Sequence, residues 1–165
     1  SKLGAEIAAA EVGRRTGLPI IVARAFPHTG PGQTDRYVVP ALAQRIRTAR
    51  RIKAPVIKTG NLDVVRDFLD VRDVAAAYRL LLQSGRSGAT YNVASGVGIS
   101  LRDLVGRLMG LLEYRVVLES DPQLVRPNDL SVLVGDASRL AADTGWTRRF
   151  TLDQTLKDLL DAQAD

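Results

Sequence analysis

A nearly continuous apolar run begins shortly after the start of the chain, from Ile20 to Phe26, and Arg24 is its only polar member. The run does not alternate between apolar and polar positions, so it predicts a β-strand covered on both faces, as in a parallel α/β sheet. A turn rich in glycine and proline follows at residues 27–33. Ligands bind beyond the carboxyl ends of parallel strands, and His28, the single histidine, lies in that turn. The turn is therefore a candidate binding site, with a tight turn carrying a surface histidine as the alternative.

Helix and strand patterns alternate along the rest of the chain, which indicates an α/β protein of one domain. Side chains that cap a first turn occur at Asp70, at Ser100 and at Thr151 with Gln154, and Gly17 ends the first helix. With the helical spacing of apolar or small residues, these signals predict helices over residues 1–16, 35–46, 70–84, 100–112, 136–145 and from 151 onward. Further strands are predicted at residues 55–58, 90–94 and 115–119.

Composition narrows the classes of function. The 165 residues are 45% apolar and carry a net charge of +5, which permits a hydrophobic core and suits a phosphate-bearing ligand. The absence of cysteine excludes disulfides and thiolate metal sites and is compatible with a cytoplasmic location. One histidine among scattered carboxylates predicts no metal site, and the G-x-S-x-G turn of a serine hydrolase is missing. No apolar run has the length of a membrane span, so we expect no membrane association.

Charged residues cluster in two places. Basic side chains crowd the end of the second predicted helix, between Arg45 and Lys53, where a solvated face is the expected role. A nucleic-acid groove is the alternative, but it would interleave aromatic residues and only Tyr37 is near, so we expect no nucleic-acid partner. Asp67 and Asp73 flank the third predicted helix and are expected to belong to an ordinary surface cluster.

Three sets of motifs occur in a fixed order along the chain. Residues 24–33, RAFPHTGPGQ, are similar to R-x-F-N-H-x-G-P-G-Q, and residues 60–74, GNLDVVRDFLDVRDV, to G-N-L-x-x-x-R-D-F-x-D-V-R-D-V. Residues 126–129 with 135–136 and 145–146 are similar to R-P-x-D…G-D…G-W. On these motifs the chain resembles the extended short-chain dehydrogenases/reductases (the NAD-dependent epimerase/dehydratase family), in particular the reductases and 4,6-dehydratases of GDP-mannose metabolism.

The resemblance implies a fold and a cofactor. The expected fold is the C-terminal part of a Rossmann-type doubly wound parallel sheet plus a smaller α/β substrate-binding lobe. Residues 1–33 would end the dinucleotide-binding domain, residues 34–165 would form the nucleotide-sugar lobe, and residues 89–95 would return to the main sheet. The chain opens on a helix rather than on the strand and glycine-rich turn that seat a pyrophosphate. We therefore expect a C-terminal portion of a longer enzyme, with NADP (or NAD) bound mainly by an N-terminal half outside this sequence.

The resemblance also implies roles for individual residues. Lys2 stands at the lysine of the Tyr-x-x-x-Lys pair, whose charge lowers the pKa of the tyrosine acid/base, and a surface lysine is the alternative. Arg66 and Arg126 would clamp a diphosphate bidentately, with surface pairing to Asp67 and Asp129 as the alternative. Pro27 replaces the asparagine of the motif and lacks its side-chain hydrogen-bonding groups. The implied cofactor contacts are Lys2, Phe26, His28 and Gly30, and the implied substrate contacts are Tyr37, Val38, Gly60, Arg66 and Arg126.

The activity implied by the resemblance is NADPH-dependent reduction of the 4-keto group of GDP-4-keto-6-deoxymannose. A GDP-mannose 4,6-dehydratase, or another nucleotide-sugar epimerase or dehydratase, is the alternative within the class. A non-catalytic chain that binds a nucleotide sugar or forms dimers is the alternative outside it, because the family's tyrosine and glycine-rich turn are not in this sequence. The helix at residues 1–16 is expected to pair two subunits of a homodimer, and this chain alone is expected to be inactive.

Overall fold

Helices and strands alternate through the computed structural model, which describes residues 2–125 and 129–163. The longest helices have 15 residues, and none in the described ranges is long and apolar enough to cross a membrane. The helices are α1 (Lys2–Thr16), α2 (Val38–Ile52), α3 (Val71–Ser84), α4 (Leu101–Leu111), α5 (Ser138–Thr144) and α6 (Leu152–Ala162), with a short 3₁₀ turn at Pro122–Leu124. The strands are β1 (Val22–Ala25), β2 (His28–Thr29), β3 (Val56–Thr59), β4 (Val65–Asp67), β5 (Leu69–Asp70), β6 (Thr90–Val93), β7 (Gly98–Ser100), β8 (Val117–Ser120) and β9 (Val132–Leu133).

Most of the strand pairs are parallel, which confirms the predicted α/β class. β1 runs parallel to β6, with Val22 opposite Thr90 and Ala25 opposite Val93. β2 is parallel to β5, and β3 is parallel to β8. β4 lies between antiparallel β7 and parallel β9 in a three-stranded sheet. β6 therefore lies beside the strand that follows α1, while the boundary between residues 33 and 34 stays a prediction.

Four helices have an end where a capping residue predicted it, whereas α2 runs from Val38 to Ile52 rather than over residues 35–46. Asp70 and Ser100 each accept a hydrogen bond from a backbone N–H in the first turn of α3 and α4. Thr151 and Gln154 form a reciprocal capping box at the start of α6. Gly17 ends α1 with φ at +73°, a left-handed conformation that costs glycine little. These local contacts satisfy helix-terminal groups that would otherwise lack partners.

Apolar side chains are buried in two clusters. The smaller packs α3 and α5 against β6 around Tyr91 and Trp146. The larger joins α2, α4 and α6 beside β3. Burying one large aliphatic side chain contributes roughly 1.5–3 kcal/mol, so the larger cluster dominates the stability of the chain. Its large, fully buried members include Ile46, Leu104, Leu108, Leu156 and Leu159.

The prediction that the first strand is covered on both faces is wrong for this chain. Regular pairing begins only at Val22, and burial decreases from half-buried there to exposed at Ala25. α1 contributes no buried residue and exposes Leu3 and Ile7. Among the described residues, β1 has a partner strand on one edge only, so its other edge is uncovered.

Most basic side chains at the end of α2 are exposed, as predicted, but two of its arginines also contact neighbouring helices. Arg47 donates to the carbonyl oxygens of Leu160 and Gln163 at the end of α6. Arg50 donates to the carbonyl oxygen of Leu112 at the end of α4, over 3.0 Å. The last carbonyls of a helix lack intrahelical partners, so guanidinium groups from a neighbouring helix satisfy them. Arg47 and Arg50 therefore connect α2 to the ends of α6 and α4.

Candidate functional site

Hydrogen bonds within the turn that follows β1 hold it in one conformation. The buried hydroxyl of Thr29 donates to Gln33 Oε1 over 2.7 Å, and Gln33 Nε2 donates to the carbonyl oxygen of His28 over 3.2 Å. The carbonyl oxygen of Pro27 accepts the Leu69 N–H over 3.0 Å, which joins the turn to β5. The turn is thus a fixed wall rather than a flexible connection.

A cleft of about 660 Å³, here called the turn cleft, opens against this wall. Its lining combines residues 25–33 with the start of α2 and with Phe68 and Val71. Apolar lining with a few polar groups is typical of small-molecule sites. Five of the residues predicted as contacts line this cleft together: Phe26, His28, Gly30, Tyr37 and Val38.

His28 presents one ring nitrogen to the turn cleft. Its Nδ1 lies 3.0 Å from the carbonyl oxygen of Phe26. A carbonyl oxygen only accepts hydrogen bonds, so Nδ1 carries the proton in this contact. In the neutral ring, Nε2 is then left as a hydrogen-bond acceptor on an exposed side chain. His28 therefore has a defined orientation at the mouth of the cleft.

Two of the predicted glycines lie where no side chain fits. A Cβ added to Gly30 would approach Cγ1 of Val71 to 2.7 Å, and one added to Gly60 would collide with the carbonyl oxygen of Leu124. The second contact is with backbone, which cannot rotate away. Any larger residue at Gly30 or Gly60 would therefore displace a wall of the site.

A second cleft, of about 480 Å³, adjoins the first and is here called the arginine cleft. It is lined by Arg36, Arg45 and Arg66 together with Gly60 and Asn61. Guanidinium groups present forked donors that match phosphate oxygens. The two clefts share four lining residues: Pro27, Tyr37, Val38 and Phe68.

Arg66 is held in the arginine cleft by two contacts. Its Nη2 lies 2.5 Å from Asp129 Oδ1, and its Nη1 donates to the carbonyl oxygen of Val65 over 2.7 Å. The Arg66 side chain is only 13% exposed, so the guanidinium is largely fixed. Of the two aspartates that the alternative interpretation named, Asp129 is its partner, but this arginine is not on the surface. Both side chains line the cleft.

One predicted residue, Lys2, is not brought to the clefts. Lys2 is the first residue of α1, is exposed, and lines neither cleft. Its catalytic role therefore stays a prediction. Arg126 lies outside the described residues. The structure accordingly brings together Phe26, His28, Gly30, Tyr37, Val38, Gly60 and Arg66.

Two carboxylates predicted on the surface are completely buried. Asp67 and Asp73 both have 0% exposure. Asp67 accepts the N–H groups of Gly96 and Gly135, and Asp73 accepts that of Phe150, among other donors. Buried carboxylates need such donors, which come from distant parts of the chain. No local pattern marked Asp67, because β4 has only three residues and Phe68, Leu69 and Asp70 after it are buried as well.

Asp70 connects the turn cleft to α6. It is the capping residue of α3, its β5 strand pairs with β2, and its side chain accepts hydrogen bonds from Arg72 and from the Thr155 hydroxyl at 2.7 Å. Burial alone would raise the pKa of this carboxyl, but the bonds from Arg72 and Thr155 outweigh burial and hold the pKa below its ordinary value. The Asp70 carboxylate raises the pKa of Arg72 in turn. Asp70 is therefore ionised at neutral pH.

The described part of the chain contains no cluster of side chains that could bind a metal ion. No group of three or more histidine, aspartate or glutamate residues lies there in an arrangement that could hold an ion. The polar groups available to a ligand are instead an imidazole nitrogen in the turn cleft and guanidinium groups in the arginine cleft. This combination suits an organic anion such as a phosphate ester.

Comparisons with known proteins agree on one family. The family model described as GDP-mannose 4,6 dehydratase matches residues 1–159. GDP-6-deoxy-D-mannose reductase from Pseudomonas aeruginosa is 38% identical over 161 residues, which cover 97% of this chain and 53% of that protein. GDP-6-deoxy-D-talose 4-dehydrogenase from Aggregatibacter actinomycetemcomitans is 30% identical over 132 residues, which cover 80% of this chain and 44% of that protein.

A solved structure supports the same relationship. RMD from Pseudomonas aeruginosa, complexed with NADPH, superposes with a TM-score of 0.89 at 36% identity, over 98% of this chain and 54% of that one. The chain thus spans about half the length of the relatives it matches. The structural match covers the turn, both clefts and the parallel strands beside them.

Proposed function

The chain belongs to the GDP-mannose 4,6 dehydratase family, and from that premise we propose that it is the substrate-binding portion of an NADP-dependent nucleotide-sugar oxidoreductase. The substrate proposed is a GDP-linked 4-keto-6-deoxy sugar, and the reaction is reduction of its 4-keto group. The observation that carries the proposal is the junction of the two clefts. An apolar cleft with one imidazole adjoins a cleft with three arginines, and both share Tyr37 and Val38.

The arginine cleft suits the diphosphate of the substrate. Arg66 uses Nη2 for Asp129 and Nη1 for the Val65 carbonyl, which leaves further N–H groups of its guanidinium for phosphate oxygens. Because those two contacts hold the side chain in place, less conformational entropy is lost on binding. Arg126 is proposed as the second member of this diphosphate clamp, and the aromatic ring of Tyr37 as a wall for the nucleoside base.

The turn cleft suits the nicotinamide end of the cofactor. Its lining includes the rings of Phe26 and Phe68, and aromatic walls with a few polar groups fit a flat heterocycle. Bound there, the nicotinamide would supply the hydride. Phe26 and Phe68 would exclude water, and His28 would orient a polar group through Nε2. We also propose that Lys2 assists a tyrosine acid/base, that α1 pairs two subunits through the exposed Leu3 and Ile7, and that the enzyme is cytoplasmic.

Relatives with other activities define the second candidate within the class. The matching family model is described as a dehydratase, whereas the P. aeruginosa relative is a reductase. Reduction is favoured because the relative that is 38% identical over 97% of this chain is a reductase.

Binding of GDP tests the proposal. Calorimetric titration should show that GDP binds more tightly than guanosine, because only GDP engages the guanidinium groups. A charged hydrogen bond contributes about 1.5–3 kcal/mol, so Arg66→Ala should weaken GDP binding roughly tenfold or more. Arg66→Lys should recover only part of that loss, since lysine cannot bind bidentately.

Arg102→Ala is the matched control for this experiment. Arg102 also pairs with an aspartate, Asp63 at 2.8 Å, but it lines neither cleft. Its removal should leave GDP affinity unchanged. Equal affinities for GDP and guanosine, or equal losses in the Arg66→Ala and Arg102→Ala variants, would overturn the proposed diphosphate site.

A further inference from the structure

The buried carboxylate of Asp67 holds three segments of the chain together. Its Oδ1 accepts hydrogen bonds from the backbone N–H of Ser95 at 2.9 Å and from the Ser95 hydroxyl at 2.6 Å. Its Oδ2 accepts the N–H groups of Gly96 at 2.9 Å and Gly135 at 3.1 Å. All four donors are neutral, and a buried carboxylate is costly without them. Their geometry therefore fixes β4, the loop after β6 and the segment around Gly135 relative to one another.

One of these segments carries the wall of the arginine cleft. Arg66 and Phe68 flank Asp67 in sequence, and alternate residues of a strand point to opposite faces. Arg66 lines the arginine cleft, and Phe68 lines both clefts. The position of β4 thus sets the position of both side chains. Any shift of the Asp67 carboxylate would move them together.

The segment around Gly135 packs against Phe26, a residue of the turn cleft. Gly135 lies so close to the ring of Phe26 that a Cβ added to it would be 2.9 Å from two ring carbons. Phe26 in turn lines the turn cleft. The N–H that Gly135 donates to Asp67 therefore fixes the support on which this ring rests.

We propose that Asp67 is a positioning residue that fixes the turn cleft and the arginine cleft relative to each other. Within the described residues its carboxylate forms no hydrogen bond with the Arg66 guanidinium, and it acts through the positions of Arg66, Phe68 and Phe26. The proposal rests on the proposed function in naming GDP as the ligand of the arginine cleft and reduction as the reaction. Reduction across two clefts requires that donor and acceptor be held at a set distance, which gives such a residue its role.

Asp73 provides a matched control. It is also 0% exposed and accepts backbone N–H groups from Arg149 and Phe150 at 3.1 Å, but it lines neither cleft. An Asp→Asn substitution keeps the shape of either side chain and turns one acceptor oxygen into a donor that faces other donors. The two variants therefore remove comparable interactions at different places.

Fluorine NMR of the chain labelled with fluorophenylalanine tests the proposal without a ligand. The chain has three phenylalanines, and Phe26 and Phe68 report on the clefts while Phe150 reports on Asp73. Asp67→Asn should shift the Phe26 and Phe68 resonances and leave Phe150 in place, and Asp73→Asn should do the reverse. Unmoved Phe26 and Phe68 signals in Asp67→Asn, or equal shifts in both variants, would overturn the proposal.

A milder variant keeps the test decisive if Asp67→Asn does not fold. Ser95→Ala removes one of the four donors and should shift the same two resonances by less. Ser95→Ala spectra identical to those of the wild type would then count against Asp67.

GDP titration adds a functional measure. Asp67→Asn should weaken GDP binding about tenfold, equivalent to one lost charged hydrogen bond at Arg66, and Asp73→Asn should leave it unchanged. Equal losses in the two variants would mean general destabilisation and overturn the proposal. If the wild-type chain does not prefer GDP to guanosine, the proposed function fails, and the fluorine spectra still decide the role of Asp67.

Discussion

Residues 2–25 and residues 38–163 bury their side chains to very different extents. α1 has no buried residue, and β1 is half-buried at its start and exposed at its end. α2, α4 and α6 each bury one apolar face, and together they form the larger hydrophobic cluster. α1 forms a helix without burying any side chain, so helix formation and core formation are separate properties of this chain. The stability of the described structure resides in the second region. The turn cleft draws most of its walls from the segment between the two regions, residues 26–37, whereas the arginine cleft is lined mostly by the second region.

The largest expected effect is the difference in stability between two variants, one with a substitution in each region. Leu108 in α4 is 0% exposed, so Leu108→Ala should lower the free energy of unfolding by about 2–5 kcal/mol. Ile7 in α1 is 62% exposed, so Ile7→Ala should change it by less than about 0.5 kcal/mol. Urea unfolding followed by far-UV circular dichroism measures both values. Similar losses from the two substitutions would show that α1 belongs to the same cooperative core.

A smaller effect is expected from Asp70, whose strand β5 pairs with β2 in the segment between the two regions. Its folded-state pKa is held below the ordinary value of 3.8, so its charge stabilises the fold above that pH. This contribution should disappear as the pH falls through the lower pKa of the folded state. Asp70→Asn should therefore cost about 1–3 kcal/mol at neutral pH and make the free energy of unfolding less dependent on pH below about 4.

Asp63→Asn is the control for that measurement. Asp63 pairs with Arg102 at the surface and its side chain is 76% exposed. Its substitution should leave both the stability at neutral pH and the acid transition as in the wild type. If the acid transition of Asp70→Asn matched that of the wild type, the Asp70 carboxylate would not be a source of the pH-dependent stability.

The smallest expected effect concerns the ion pair between α1 and β1. Arg24 binds Glu6 through Nε at 3.0 Å and Nη2 at 2.6 Å, and the hydrogen bond from Arg24 lowers the pKa of Glu6. Exposed pairs contribute little, so Arg24→Ala should not shift the urea midpoint. Hydrogen exchange should nevertheless become faster in both α1 and β1.

Arg14→Ala separates this link from the stability of the helix itself. Arg14 pairs with Glu11 inside α1, so its loss should speed exchange in α1 alone. A pattern shared by both variants would mean that the Arg24 pair does not join the two elements.

Local patterns in the sequence predicted the framework of the structure. Capping at Asp70, Ser100 and Thr151 depends on atoms within three residues, and Gly17 needs only its own backbone freedom. Helical spacing and unbroken apolar runs likewise depend on near neighbours. The helices and the four longest strands were therefore predictable, with errors at their ends, such as α2 reaching Ile52. The five short strands β2, β4, β5, β7 and β9 were missed.

The motif residues of the turn were predictable for the same reason, whereas their partners were not. Phe26, His28 and Gly30 lie within one short segment, so the sequence alone indicated a shared site. The pairing of Arg66 with Asp129 crosses 63 residues, and no local rule selects one aspartate over another across that distance. It became definite only when the folded chain placed both side chains in the arginine cleft.

Tertiary structure alone decided which charges are buried. Asp67 receives an N–H from Gly135, 68 residues away, and Arg47 reaches the carbonyl of Gln163, 116 residues away. By composition both side chains belong on the surface, yet Asp67 is fully buried and Arg47 is half-buried. Each is stabilised by backbone groups that reach it only after the chain has folded. The sequence by itself therefore determined the elements and the residues of the turn, and long-range hydrogen bonding determined how the two clefts are joined.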